Sequence, residues 1–295
     1  MDKEREKEEG HQRSLIGNAF VVMLAVISFF FIVVVAGHRI DEFFGWSRRR
    51  RKRKADETVD EKGIQYENWL IKYNPYYVSL EPECKKIFLE RTIEFMQSKE
   101  FHFHSMVEEE YIPVLISAAA IQVTFGMKNY ILDYFQVIHV IRKEYTLDID
   151  KETYYGHVSR NGIYISWDNF LEGYKDYDDS VNLGLHEMAH AVSYDVYLGE
   201  QDRNDEDFKE RLNGFSKEGI PVFREMKKGG RSIIDEYGCT NFDEFWAVCV
   251  ETFFENSAEF QRVLPDLYAS ICDLLNQNPL KPGKIIDPWR AGLAI

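Results

Sequence analysis

The 295-residue chain has four cysteines (Cys84, Cys239, Cys249 and Cys272), and no two of them form a Cys-x-x-Cys pair. Four scattered thiols in a chain this long are not a disulfide framework, and they fit a reducing compartment. Internal repeats and low-complexity tracts are also missing. Basic charge is scarce where nucleic-acid binding would need it. From Ala55 on, 24 Lys/Arg face 43 Asp/Glu, whereas up to Lys54 the count is 12 against 7. A body this acidic repels a phosphate backbone, which argues against direct nucleic-acid binding. Histidine stops early: none of the eight lies beyond position 190.

What is present begins with a hydrophobic run. Residues 15–36 (LIGNAFVVMLAVISFFFIVVVA) hold no charge over 22 positions. A hydrocarbon core about 30 Å thick needs about 20 apolar helical residues, so this stretch is long enough to cross it. A cleaved signal peptide would have a shorter apolar region followed by a small-residue cleavage site. Here Gly37-His38-Arg39 leads to Asp41 and Glu42, then to the basic run Arg48–Lys54. That run outweighs Lys3, Arg5, Lys7 and Arg13 on the other side, so the positive-inside rule puts the body in the cytoplasm. Phe43, Phe44 and Trp46 suit the interface. The expected organisation is a short extracytoplasmic tail (1–14), one transmembrane helix (15–36), a basic juxtamembrane segment and linker (37–65), and a globular domain (66–295).

At 45% hydrophobic and 29% charged residues, the composition is that of a globular protein. Apolar spacing predicts helices over Pro82–Phe101, Ile112–Phe125, Val181–Tyr197, Glu206–Asn213, Phe242–Glu255 and Ala258–Gln277. Tyr134–Ile141 and Gly162–Trp167 have strand composition, with turn signals at Gly156 and Asn161-Gly162 between them. Asp178-Asp179-Ser180 are helix-capping residues. The fold class is α+β: a mainly helical domain with a small sheet.

Within the Val181–Tyr197 helix stands His186-Glu187-Met188-Ala189-His190. Residues four apart share a helix face, so both imidazoles reach one metal ion. Glu187 projects beside them, where it can take a proton from an activated water and return it to a leaving amine. Zinc suits nitrogen and oxygen ligands with one position open. Ser193 and Val196 exclude the pattern in which a third histidine follows six residues later. A downstream carboxylate is then the simplest third ligand. Glu210 sits among Asp207, Lys209 and Arg211, the composition of a solvated face. Glu244 and Glu251 lie two turns apart on an otherwise apolar helix. One would bind the metal and the other would hold a ligand histidine by its second ring nitrogen. The Gly162–Trp167 strand is an expected edge for pairing with an extended peptide.

The segments GLHEMAHAVSYD (184–195) and NFDEFWAVCVETFFENSAEFQRVLPDLYASICDLLNQNP (241–279) closely resemble the Mlc titration factor A family of zinc-dependent peptidases. The resemblance also runs through FMQSKEFHF, the alanine-rich helix and GIYISW, and covers roughly 70 to 280. It implies a zincin-type metallopeptidase domain with zinc on His186, His190 and Glu244. It also implies a peptide or protein substrate, an aminopeptidase-like activity, and a cytoplasmic transcriptional regulator as a partner. The family is similar in active-site architecture to the anthrax lethal factor, in which a tyrosine seven residues before the glutamate ligand faces the metal. Tyr237 stands at that position and is implied as an oxyanion donor. Asp195 lies later than the aspartate usual in the family and receives no role. The rival reading is a membrane-tethered protein that sequesters a cytoplasmic regulator, with zinc purely structural.

Overall fold

The computed structural model describes residues 47, 49–146, 153–175, 180–198, 206–281, 283, 285–288 and 291–293. The expected tail, the expected transmembrane helix over 15–36 and the aromatic residues near 43–46 lie outside the described residues. Among the described residues no helix is long and apolar enough to cross a membrane. The chain divides into two compact units, 1–53 and 54–295, and the second carries the architecture that follows.

Helix α1 covers 54–73 of this unit, so the residues expected to form a linker are helical. Its inward stripe is Ala55, Val59, Gly63, Tyr66 and Leu70, at steps of three or four. Alanine and glycine at inward positions give little hydrophobic signal, which is why the composition reads as a linker. A short α2 (Pro75–Val78) and α3 (Pro82–Gln97) follow, the latter with proline at its first position. The helical pattern expected to reach Phe101 therefore stops at Gln97, and Phe101 lies in strand β1 (Glu100–His104).

Helix α4 (Tyr111–Thr124) is the centre of the core. Nearly every side chain from Ile112 to Thr124 is buried, as expected for a helix apolar all round. It packs against α3 on one side and α6 on another. The carbonyls at its C-terminal end lack partners within the helix, and side chains supply them. Gln277 Nε2 donates to Gln122 and Val123 carbonyls at 3.1 and 3.0 Å, Arg91 Nη1 to Phe125 at 2.8 Å, and Asn276 Nδ2 to Gly126 at 2.8 Å.

The sheet comprises β1, β2 (Val137–Ile141), β5 (Gly156–Ser159) and β6 (Gly162–Ser166), in the order β1-β2-β6-β5. β1, β2 and β6 run parallel, and β5 pairs antiparallel to β6. β3 (Tyr145–Thr146) and β4 (Thr153–Tyr154) form a separate antiparallel pair. The Gly162–Ser166 strand is thus interior, not the expected edge. β5 holds the edge, and Gly156, expected at a turn, is its first residue.

Six further α-helices follow among the described residues: α5 (Trp167–Lys175), α6 (Leu183–Leu198), α7 (Glu206–Lys227), α8 (Phe242–Glu255), α9 (Ser257–Val263) and α10 (Pro265–Leu275). α7 runs well beyond the expected Asn213, with Pro221 inside it. The expected 258–277 helix is two helices, because Pro265 opens a new one. Of the predicted apolar positions near α6, Leu185, Met188, Ala189, Ala191 and Val192 are buried, but Val181 precedes the helix and is exposed.

The end of α4 meets the end of α10 with no room to spare. A Cβ on Gly126 would lie 2.2 Å from the Leu275 carbonyl oxygen and 2.5 Å from that of Asn276. Backbone oxygens cannot swing aside as a side chain can. Gly126→Ala is expected to destabilise the domain by about 2 to 3 kcal/mol, read as a lower urea midpoint at unchanged slope.

Candidate metal centre

Two helices build the centre. α6 carries His186, Glu187 and His190; α8 carries Glu244 and Glu251. Their crossing is fixed by packing and by the Trp246 indole, which donates to the Ala189 carbonyl at 3.0 Å. α8 begins at Asn241, whose Oδ1 accepts from the Asp243 and Glu244 amides at 2.9 and 3.0 Å. This cap satisfies orphan N–H groups at the turn that presents Glu244.

The donors converge. His186 Nε2 and His190 Nε2 are 3.2 Å apart, and Glu244 Oε2 lies 2.9 Å from the first and 3.3 Å from the second. The three residues offer ligand atoms all within 4.8 Å of one another. Two imidazole nitrogens and a carboxylate oxygen, partly buried, fit a divalent metal that leaves one position open. Glu251 Oε1 stands 2.7 Å from His186 Nδ1. When Nδ1–H donates to that carboxylate, Nε2 is left free to bind a metal.

Glu251 is held in turn by Asn182, whose backbone amide donates to Oε2 at 2.5 Å. Asn182 Oδ1 caps α6 by accepting from the Leu185 amide at 3.1 Å, and its Nδ2 donates to Glu255 Oε1 at 2.8 Å and to the Gly173 carbonyl at 3.1 Å. One buried asparagine thus ties α5, α6 and α8 together. The cap is thus Asn182 and not the expected Asp178–Ser180 stretch. Its signal was an asparagine four residues before the first histidine, where a helix start needs an acceptor.

Electrostatics separate Glu244 from Glu187. Burial opposes ionisation of Glu244, but hydrogen bonds to His186 and His190 outweigh it and hold the carboxyl down to about 2. His186 is also buried, yet the hydrogen bonds to Glu244 and Glu251 raise it to about 10. Glu187 goes the other way. Burial, reinforced by the charges of Glu244 and Glu251, pushes it up to about 8 against the opposing influence of His186. It is 4% exposed, and its Oε2 is buried without a hydrogen-bond partner. Gly156 at the start of β5 lies against it: a Cβ there would be 2.5 Å from Glu187 Oε1.

Residues 46–275 match the sequence model of the glucose-regulated metallo-peptidase family M90. The chain belongs to this family. It is also 25% identical over 215 residues to an uncharacterized protein of Synechocystis sp., in an alignment covering 66% of this chain and 77% of the relative. The M90 match spans both helices of the centre, and α5, β5 and β6 beside it.

Other predicted residues fall into place around the M90 centre. Tyr237 lies on a single 3-10 turn (Glu236–Cys239), 56% exposed, its ring 5.9 Å from that of His186. Glu210 is exposed on α7. Asp195 accepts from the Tyr134 amide at 2.8 Å, anchoring α6 to the segment before β2. His102, His139, Tyr164 and His157 form a row across the sheet, with His139 and His157 stacked on the Tyr164 ring at 4.2 and 4.1 Å.

Three predictions follow from this geometry. His190→Ala and Glu244→Ala are expected to abolish or severely weaken metal binding, and Glu251→Gln to weaken it about 10- to 100-fold, as measured by competition with a chromogenic chelator. Metal must displace the proton that the two carboxylates hold on His186, so affinity should rise with pH toward about 10; isothermal titration across pH reads the slope. Gly156→Ala should displace Glu187 while leaving metal affinity intact, with kcat reduced about 100-fold if the shift is about 1 Å.

Proposed function

We propose that the chain is a membrane-anchored zinc peptidase whose catalytic domain faces the cytoplasm, with zinc on His186, His190 and Glu244 and with Glu187 as general base. One observation carries the reading: a buried carboxylate with an unpartnered oxygen lies beside a three-donor cluster at a cleft. Zinc, when bound, supplies Lewis-acid polarisation of the scissile carbonyl and of the attacking water. Glu187 takes the proton from that water as the new C–O bond forms. The same carboxyl then hands the proton to the amide nitrogen as the C–N bond breaks. The ring of Tyr237, 5.9 Å from that of His186, supports a role as hydrogen-bond donor to the carbonyl oxygen as negative charge builds there. Glu251 holds the His186 ring throughout.

The peptide's docking edge moves from the expected strand to β5, one of the two end strands of the sheet, whose Gly156 abuts Glu187. An extended substrate paired there would lie alongside the general base. Membrane attachment is supported by the uncharged 22-residue stretch over 15–36, and the cytoplasmic orientation by the basic run after it. A transcriptional regulator as partner is supported by the family resemblance alone. The rival, a tethered binding protein with structural zinc, needs a fourth protein donor, and among the described residues the cluster has three.

Glu187→Gln is expected to keep zinc and to lower peptide hydrolysis by about 10²- to 10⁴-fold. Turnover within a few-fold of wild type, with zinc still bound, would remove Glu187 from the role of base.

A further inference from the structure

The cleft over the centre has a volume of about 720 Å³ and a one-sided chemistry. Among the described residues that line it there is no lysine or arginine. Two carboxylates on its walls, Glu172 and Asp235, take no part in holding the histidines. Glu172 is exposed on α5 and pairs with Lys175 at 2.6 Å in water, where such a pair is weak and readily exchanged. Asp235 accepts the Tyr237 amide through Oδ1 at 2.8 Å, a role that leaves its charge facing solvent. Apolar side chains are also turned into this space: Tyr155 and Val181 are 54% and 60% exposed. Deeper in the cleft, Glu187 Oε2 is buried without a hydrogen-bond partner, an acceptor open to a bound molecule.

We infer that the cleft selects cationic peptides, in which a lysine or arginine side chain stands next to an apolar residue. The cation lies against Glu172 and Asp235, and the apolar side chain covers Tyr155 and Val181. The acidic body, with 43 Asp/Glu against 24 Lys/Arg from Ala55 on, draws such peptides in and repels anionic ones. This inference rests on the peptidase reading and names its substrate class.

The test uses the full-length chain and three labelled hexapeptides alternating valine with lysine, glutamate or glutamine. Affinity for Glu187→Gln is read by fluorescence anisotropy, and kcat/KM by hydrolysis with the wild type. The lysine peptide is expected to bind about tenfold tighter than the glutamate peptide at low salt, with the gap shrinking as salt rises. Glu172→Lys, a change at an exposed position, is expected to narrow that gap severalfold. Equal affinities, or a gap that Glu172→Lys leaves intact, would overturn the selectivity. The two claims part cleanly. Equal binding with hydrolysis of all three peptides leaves a peptidase without this selectivity. Lysine-selective binding with no hydrolysis by the wild type leaves the selectivity and removes the peptidase.

Discussion

The contact between His186 Nδ1 and Glu251 Oε1, at 2.7 Å, is where the two halves of the centre become one. α6 brings the histidines and α8 brings the glutamates, so neither helix has a site alone. The contact fixes the ring of His186 and aims Nε2 at Glu244. It is costly to maintain, because Glu251 and its neighbour Glu255 are both buried acids. Buried acids persist only where donors reach them. Asn182 meets that need for both carboxylates while capping α6, and so the start of that helix and the support of its first histidine depend on one residue. Networks of this kind are rigid when complete and fail together when one member is lost.

The same crowding gives each carboxylate a different character. Glu244 faces two imidazoles and stays ionised, as a ligand must. Glu187 lies one residue along the helix from His186, pressed against the backbone of β5, with burial and two neighbouring carboxylates raising its proton affinity. Identical side chains a few ångströms apart are thereby given opposite proton affinities by environment alone, which is what the proposed ligand and base require. Gly156 is what lets the sheet come close enough to bury Glu187.

Much of the centre was legible because its chemistry depends on helical spacing. Histidines four apart, a glutamate between them, and two acids seven apart on an apolar helix follow from geometry that any α-helix obeys. The apolar helix α4 and the strands β2 and β6 were legible from composition. What escaped notice was structure whose signal is small or comes from the tertiary fold. The inward stripe of α1 uses Ala55 and Gly63, so it carries no hydrophobic periodicity. β1 alternates two phenylalanines with Glu100, His102 and His104, a pattern too short to separate from the helix before it. The edge of the sheet depends on strand order, which no local pattern encodes: β5 leads through a hairpin turn into β6 and lies outside it. Asn182 acts through Glu251 and Glu255, some seventy residues away in sequence.

The account turns on which atoms surround the metal. Zinc-edge X-ray absorption on the purified full-length chain reads them directly. The predicted spectrum is a shell of about four nitrogen and oxygen atoms at about 2.0 to 2.1 Å, with two imidazoles and no sulfur. A sulfur scatterer near about 2.3 Å, or a shell with three or more imidazoles, would contradict a centre built from His186, His190 and Glu244.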